Sequence, residues 1–107
     1  MDHEPHIVAR LSIQTALTTH VTPSLRSVSL AVSPDGEDLT LQFVYDATAT
    51  EDELELPSIV ATEVSAGWYN PAAVYERVLT VAAPTKMEHL DWIVYHRCED
   101  DWVTGRA

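Results

Sequence analysis

Two alternating segments joined by a short turn constrain the fold of this chain more than any other feature. Residues 25–33 and residues 39–45 each place apolar side chains on one face of a strand and small or polar side chains on the other. Between them, Pro34 fixes one backbone dihedral angle and Gly36 tolerates positive φ, so the connection favours a tight turn. Residues 25–45 therefore predict an antiparallel β-hairpin with one buried face.

The opposite face of this hairpin is polar. We expect solvent to cover it, although it could also pair two copies of the chain, so the oligomeric state stays open. The residues of this face are Ser27, Ser29, Thr40 and Gln42.

Two helices are predicted around the hairpin. The first covers residues 7–20, where apolar residues such as Leu11 recur at helical spacing, and Pro23 closes the segment. The second begins at a capping box, Thr50 followed by Glu53, and ends at Gly67. Pro57 lies beyond the first turn of that helix and predicts either a kink or a split into two pieces. The side chains expected to face inward are Leu56, Ile59, Val60 and Val64.

The C-terminal part of the chain predicts two further strands. These are residues 73–82 and 91–98, joined by a longer turn around Pro84 and followed by an irregular tail over residues 99–107. The order αββαββ predicts an α+β two-layer sandwich, a four-stranded antiparallel sheet with two helices on one face. At 107 residues, we expect the chain, residues 1–107, to form a single domain.

Charge limits the choice of partner. The formal net charge is −11, and the chain between Arg26 and Arg77 holds ten carboxylates without one Lys, Arg or His. This field opposes direct binding to nucleic acid or to an anionic membrane and attracts a basic protein. We therefore expect a basic protein partner, such as a nuclease-like enzyme whose groove binds nucleic acid.

Two acidic clusters are candidates for binding that partner. One lies on the hairpin turn and comprises Asp35, Glu37 and Asp38. The other lies where the second strand gives way to the second helix, and the hairpin connectivity predicts that the two occupy opposite ends of the sheet. We predict that the second cluster, together with an exposed aromatic anchor near the C-terminus, binds the partner. These residues are Asp46, Glu51, Asp52, Glu53, Glu55 and Trp102.

No pattern in the chain predicts catalysis or a cofactor. There is no glycine-rich phosphate loop and no nucleophile elbow, and no carboxyl is marked as a general acid. The residues that could ligate a metal match no recognised zinc spacing, so we predict no metal site and an ordinary strand there. The residues considered are His89, Asp91, His96 and Cys98.

Several segments resemble a known family. Residues 10–17 and 21–28, the acidic turn 51–53 and residues 60–64 are similar to small immunity proteins that accompany bacterial contact-dependent or polymorphic toxins. Pro57 departs from the uninterrupted helix that is usual in that family. The resemblance implies an inhibitor without chemistry of its own that binds a toxin domain and blocks its active site or substrate groove.

Three hypotheses for function remain open, and a small enzyme is the least favoured of them because the chain carries no recognised catalytic motif. The first is an immunity-like inhibitor of a basic, nuclease-like toxin. The alternative is a structural or self-assembling domain whose acidity reflects a halophilic or high-GC host. A single cysteine, Cys98, and the lack of a signal-like or membrane-spanning apolar stretch lead us to expect a cytoplasmic protein.

Overall fold

The computed structural model describes residues 5–35, 37–67 and 73–99. Within these ranges the chain order is a helix, two strands, a second helix and two strands, with a 3-10 helix before the second helix. The elements are α1 (Pro5–Leu17), β1 (Leu25–Val32), β2 (Asp38–Tyr45), the 3-10 helix (Glu53–Glu55), α2 (Leu56–Gly67), β3 (Ala73–Thr80) and β4 (Trp92–His96).

The four strands form one mixed sheet in the order β3-β2-β1-β4. The predicted hairpin is confirmed, because β1 and β2 pair antiparallel with Val28 opposite Phe43 and Leu30 opposite Leu41. β4 also pairs antiparallel with β1, but β3 pairs parallel with β2. The prediction of an entirely antiparallel sheet was therefore wrong at β3. The helix α2 separates β2 from β3 and carries the chain back along the sheet, which is the crossover that a parallel pair requires.

Both helices pack on one face of the sheet and share a single core with it. Ile13 of α1 and Val60 of α2 lie in one cluster of buried apolar residues with the inward side chains of β1 and β2. These strand residues are Leu25, Val28, Leu30, Leu39, Leu41, Phe43 and Tyr45. The alternation predicted for the hairpin is therefore confirmed on its apolar face.

The polar face of the hairpin is covered, contrary to expectation. Ser27, Ser29 and Gln42 are buried beneath the segment that joins β3 to β4, and Thr40 is half-buried. Gln42 Nε2 donates to the Glu88 carbonyl at 2.7 Å, and the Leu90 amide donates to Ser29 Oγ at 3.0 Å. Because these polar groups are satisfied within the chain, this part of the sheet is not available to a second copy.

The helix layer differs from the prediction in its apolar surface. Leu11 and Ile59, which were expected to face inward, are exposed, as is Val21 beyond the end of α1. The two possibilities left open at Pro57 resolve as a split, because the 3-10 helix ends at Glu55 and Pro57 is the second residue of α2. In the first turn of a helix proline removes no intrahelical hydrogen bond. In the part of the chain that the structure describes, neither helix combines the length and the apolar character that crossing a lipid bilayer demands.

Candidate functional site

The predicted acidic cluster lies at the end of the sheet where β2 ends and the helical segment before α2 begins. We call it the acidic corner; its residues are Asp46, Glu51, Asp52, Glu53 and Glu55. Tyr45 is buried opposite Leu25, and the chain leaves the sheet at Asp46. The Asp46 amide donates to the Ser24 carbonyl at 2.7 Å, which holds this corner against the start of β1. The turn of the hairpin is at the other end of the two strands, so the two acidic clusters do occupy opposite ends, as predicted.

Glu53 has a structural task in this corner. The Thr50 amide donates to Glu53 Oε1 at 2.9 Å, and the Glu53 amide donates to Thr50 Oγ1 at 3.2 Å. The capping box is therefore confirmed. Burial, together with the negative charge of Glu53, raises the pKa of Tyr45 to about 12. Glu53 thus orders the start of the helical segment, with one carboxylate oxygen accepting from the backbone.

The carboxylate of Asp46 is also hydrogen-bonded within the chain. Its carboxylate accepts hydrogen bonds from Arg97 Nη2 at 3.0 Å, from the Ala83 amide at 3.1 Å and from the Ala47 amide at 2.7 Å. The hydrogen bond from Arg97, supported by the two amides, lowers the pKa of Asp46 to about 2. Asp46 therefore links β2 to the segments that follow β3 and β4.

Arg97 also connects Asp46 to a buried ion pair between Arg26 and Glu99. Arg26 on β1 is only 1% exposed, and its Nε and Nη2 donate to the two carboxylate oxygens of Glu99 at 2.7 and 2.8 Å. Arg26 Nη1 donates to the Val81 carbonyl at 2.8 Å. Arg97 Nη2 lies 2.9 Å from Glu99 Oε2, so one carboxylate joins two guanidinium groups. Hydrogen bonding from Arg26 lowers the pKa of Glu99 despite its burial.

Sequence reasoning missed this network. The signal was Arg26, a charged side chain inside a strand whose neighbours on both faces are apolar or small. A buried charge requires a counter-charge, but the sequence does not identify Glu99, 73 positions later, as the partner.

The other three carboxylates of the predicted cluster do not hold the fold through ion pairs with the described residues. Glu51, Asp52 and Glu55 are exposed, and none of them forms an ion pair with the described residues. They lie in and directly before the 3-10 helix, at the entrance to α2. Trp102 lies outside the described residues, as does the predicted tail beyond Glu99. The structure thus separates Asp46 and Glu53, which hold the fold, from three carboxylates that face solvent.

The residues considered as metal ligands do not form a ligand set. The His89 and His96 rings have centroids 5.7 Å apart, but His89 Nδ1 lies 3.3 Å from Ser27 Oγ and His96 Nδ1 lies 2.7 Å from the Arg97 carbonyl. Cys98 is exposed beyond the end of β4. Among the described residues, no group of three His, Cys, Asp or Glu side chains could hold a metal ion.

The comparison with protein-family models places the chain in the immunity class found in polymorphic toxin systems. Residues 7–99 match the family model of the MafI2 immunity protein, and the chain therefore belongs to the MafI2 immunity protein family. This match confirms the resemblance described above. A comparison with curated proteins gives no match. As a member of this family, the chain is an immunity-type inhibitor whose partner is a toxin.

Proposed function

We propose that this immunity protein is a non-catalytic, stoichiometric inhibitor of a basic, nuclease-like toxin, and that it acts in the cytoplasm. The observation that carries the proposal is the exposed group Glu51, Asp52 and Glu55, which has no counter-charge among the described residues. Carboxylates that the fold does not use remain available to the cations of a partner.

The electrostatics favour a partner that binds nucleic acid. A groove built for phosphate backbones presents Lys and Arg, and exposed carboxylates compete for the same positions. The net charge of −11 adds long-range attraction, which speeds association, while buried contacts set the lifetime of the complex.

The target is identified by affinity capture of the tagged protein from its native host, with elution by a salt gradient and mass spectrometry. We expect one basic nuclease-like protein in stoichiometric amount. Recovery of the protein alone would contradict the proposal and would favour a self-assembling domain. In that case the acidity would be an adaptation to solvent, and stability should rise markedly in molar salt because screening removes self-repulsion.

The acidic corner is tested by charge reversal at positions that the fold does not use. The double variant Asp52→Lys/Glu55→Lys should lower the association rate constant for the captured toxin by about tenfold at low ionic strength and flatten its salt dependence. Glu53 is left unchanged because its carboxylate belongs to the capping box.

The matched control reverses two acids at the hairpin end of the sheet, the exposed Glu37 and the half-buried Asp38 at the start of β2. This variant, Glu37→Lys/Asp38→Lys, changes the net charge by the same amount. Stopped-flow mixing at several salt concentrations measures both variants. Equal association rates for the two double variants would mean that only the overall charge matters and that the acidic corner is not the binding site.

A further inference from the structure

The helix layer exposes two large apolar side chains that its own core does not use. Leu11 of α1 is 61% exposed and Ile59 of α2 is 45% exposed. The same helices already bury Ile13 and Val60 in the core. Single exposed apolar residues are ordinary, but large ones on two helices that pack together can mark an interaction site.

A groove lies between the two helices beside these residues. It has a volume of about 310 Å³ and is lined by Leu11, Ser12, Thr15 and Ala16 from α1 and by Glu63 from α2. Ile59 precedes Glu63 by four residues and therefore lies on the same side of α2. The groove is thus an apolar recess with a carboxylate at its rim.

Acidic side chains flank Ile59 along this rim. Ile59 and Glu63 are spaced by four residues on α2 and are therefore neighbours on its surface. Glu55 is the last residue of the 3-10 helix directly before α2, and the backbone at Leu56, the next residue, is right-handed helical, with φ −59° and ψ −38°. Glu55 and Glu63 are exposed and form no ion pair with the described residues.

We propose that this groove binds an apolar side chain of the toxin, and that Lys or Arg residues flanking that side chain contact Glu55 and Glu63. The inference rests on the proposed function, because it takes the partner to be a basic toxin. Apolar anchors in a recess carry much of the affinity of an interface, and charges at its rim steer the approach. A second copy of the chain is disfavoured in the groove because it would bring the same acidic side chains together.

Truncation of the anchor residues tests the groove. The captured toxin, once purified, is the probe, and surface plasmon resonance measures its dissociation rate from each variant. Leu11→Ala and Ile59→Ala should each speed dissociation by about tenfold or more. The matched control is Ile93→Ala on β4, because Ile93 is 46% exposed against 45% for Ile59. This control should dissociate within about twofold of the unmodified protein.

A second pair of variants separates contact from overall charge. Glu63→Gln and Glu76→Gln each remove one exposed carboxylate, so each lowers the total field equally. Both should slow association slightly, whereas only Glu63→Gln should also speed dissociation. Ile59→Gln, which removes the apolar surface but keeps a good helix former, repeats the test if Ile59→Ala lowers the melting temperature.

The possible outcomes distinguish a failure of the groove proposal from a failure of the inhibitor proposal. If the toxin binds the unmodified protein while Leu11→Ala, Ile59→Ala and Ile59→Gln dissociate as slowly as it does, the groove is not the interface and the inhibitor proposal stands. If the unmodified protein binds no toxin, both proposals fail. If sedimentation shows a dimer of the unmodified protein that Leu11→Ala dissociates, a second copy occupies the groove and the inference is overturned.

Discussion

Removal of the charge on Glu99 should be among the most damaging conservative substitutions in this protein. Glu99 forms a two-point hydrogen-bonded ion pair with Arg26, and the two side chains are 7% and 1% exposed, respectively. In Glu99→Gln the guanidinium of Arg26 keeps its hydrogen bond to the Val81 carbonyl but loses the charged carboxylate of Glu99. Removing the charge of one partner from a buried ion pair is strongly unfavourable, because the protein interior does not replace the water that the remaining charge has lost.

The size of the effect follows from the burial of the pair. Breaking a buried ion pair on one side costs about 3–5 kcal/mol, and small domains are stabilised by about 5–15 kcal/mol in total. The neutral amide of Gln still offers one oxygen to Arg26, so we expect about 3 kcal/mol, at the lower end of that range. With a urea m-value of about 1–3 kcal/mol/M, the unfolding midpoint should fall by roughly 1–3 M.

Urea unfolding followed by far-UV circular dichroism measures this change. The control is Glu88→Gln in the neighbouring segment, whose side chain is exposed and whose loss should alter stability by no more than about 0.5 kcal/mol. The double variant Arg26→Met/Glu99→Leu should recover much of the loss, because it removes both charges. A loss below about 1 kcal/mol for Glu99→Gln would refute the reasoning, since it would mean that Arg26 does not depend on Glu99.

Two further predictions concern pH and the capping box before the 3-10 helix. The pKa values of Asp46 and Glu99 are lowered in the folded state, chiefly by hydrogen bonds from Arg97 and Arg26 respectively, so the stability that they contribute is present at neutral pH and is lost on acidification. For Asp46 the loss falls between its ordinary pKa of 3.8 and about 2, and urea midpoints measured across this acid range should decline continuously. Thr50→Ala removes the capping hydroxyl and should reduce stability by about 1 kcal/mol in the same assay, whereas Thr62→Ala within α2 should be close to neutral. Equal effects at the two threonines would contradict the capping role.

The elements that depend on local chemistry could be predicted from the sequence. The β1–β2 hairpin follows from alternation around Pro34, and the capping box follows from the spacing of Thr50 and Glu53. The resemblance to immunity proteins, which the family match confirms, also came from short segments of helix and strand pattern. In each case neighbours along the chain carry the information.

The partners of β3 could not be predicted in the same way. Alternation indicates a strand but does not say which neighbour it joins or in which direction, and β3 and β4 lie at opposite edges of the sheet. The cover over Ser27 and Gln42 is equally non-local, since Met87 and Glu88 reach them from the segment between β3 and β4. Ser and Gln on an outer strand face look solvent-exposed when only their own segment is considered.

The carboxylates likewise fall into two groups that the sequence does not separate, those that hold the fold and those that are free to bind a partner. This difference makes the proposed function testable. An acidic sequence alone cannot separate carboxylates that hold the fold from those that remain free, because both look alike in composition. In the structure Asp46 and Glu99 are tied to arginines, whereas Glu63 has no such tie among the described residues. Adaptation to a salty solvent acts on total charge and is indifferent to position, so it predicts equal effects for Glu63→Gln and Glu76→Gln. Recognition of a toxin acts through contact as well, so it predicts a difference in dissociation between two substitutions that change the charge by the same amount.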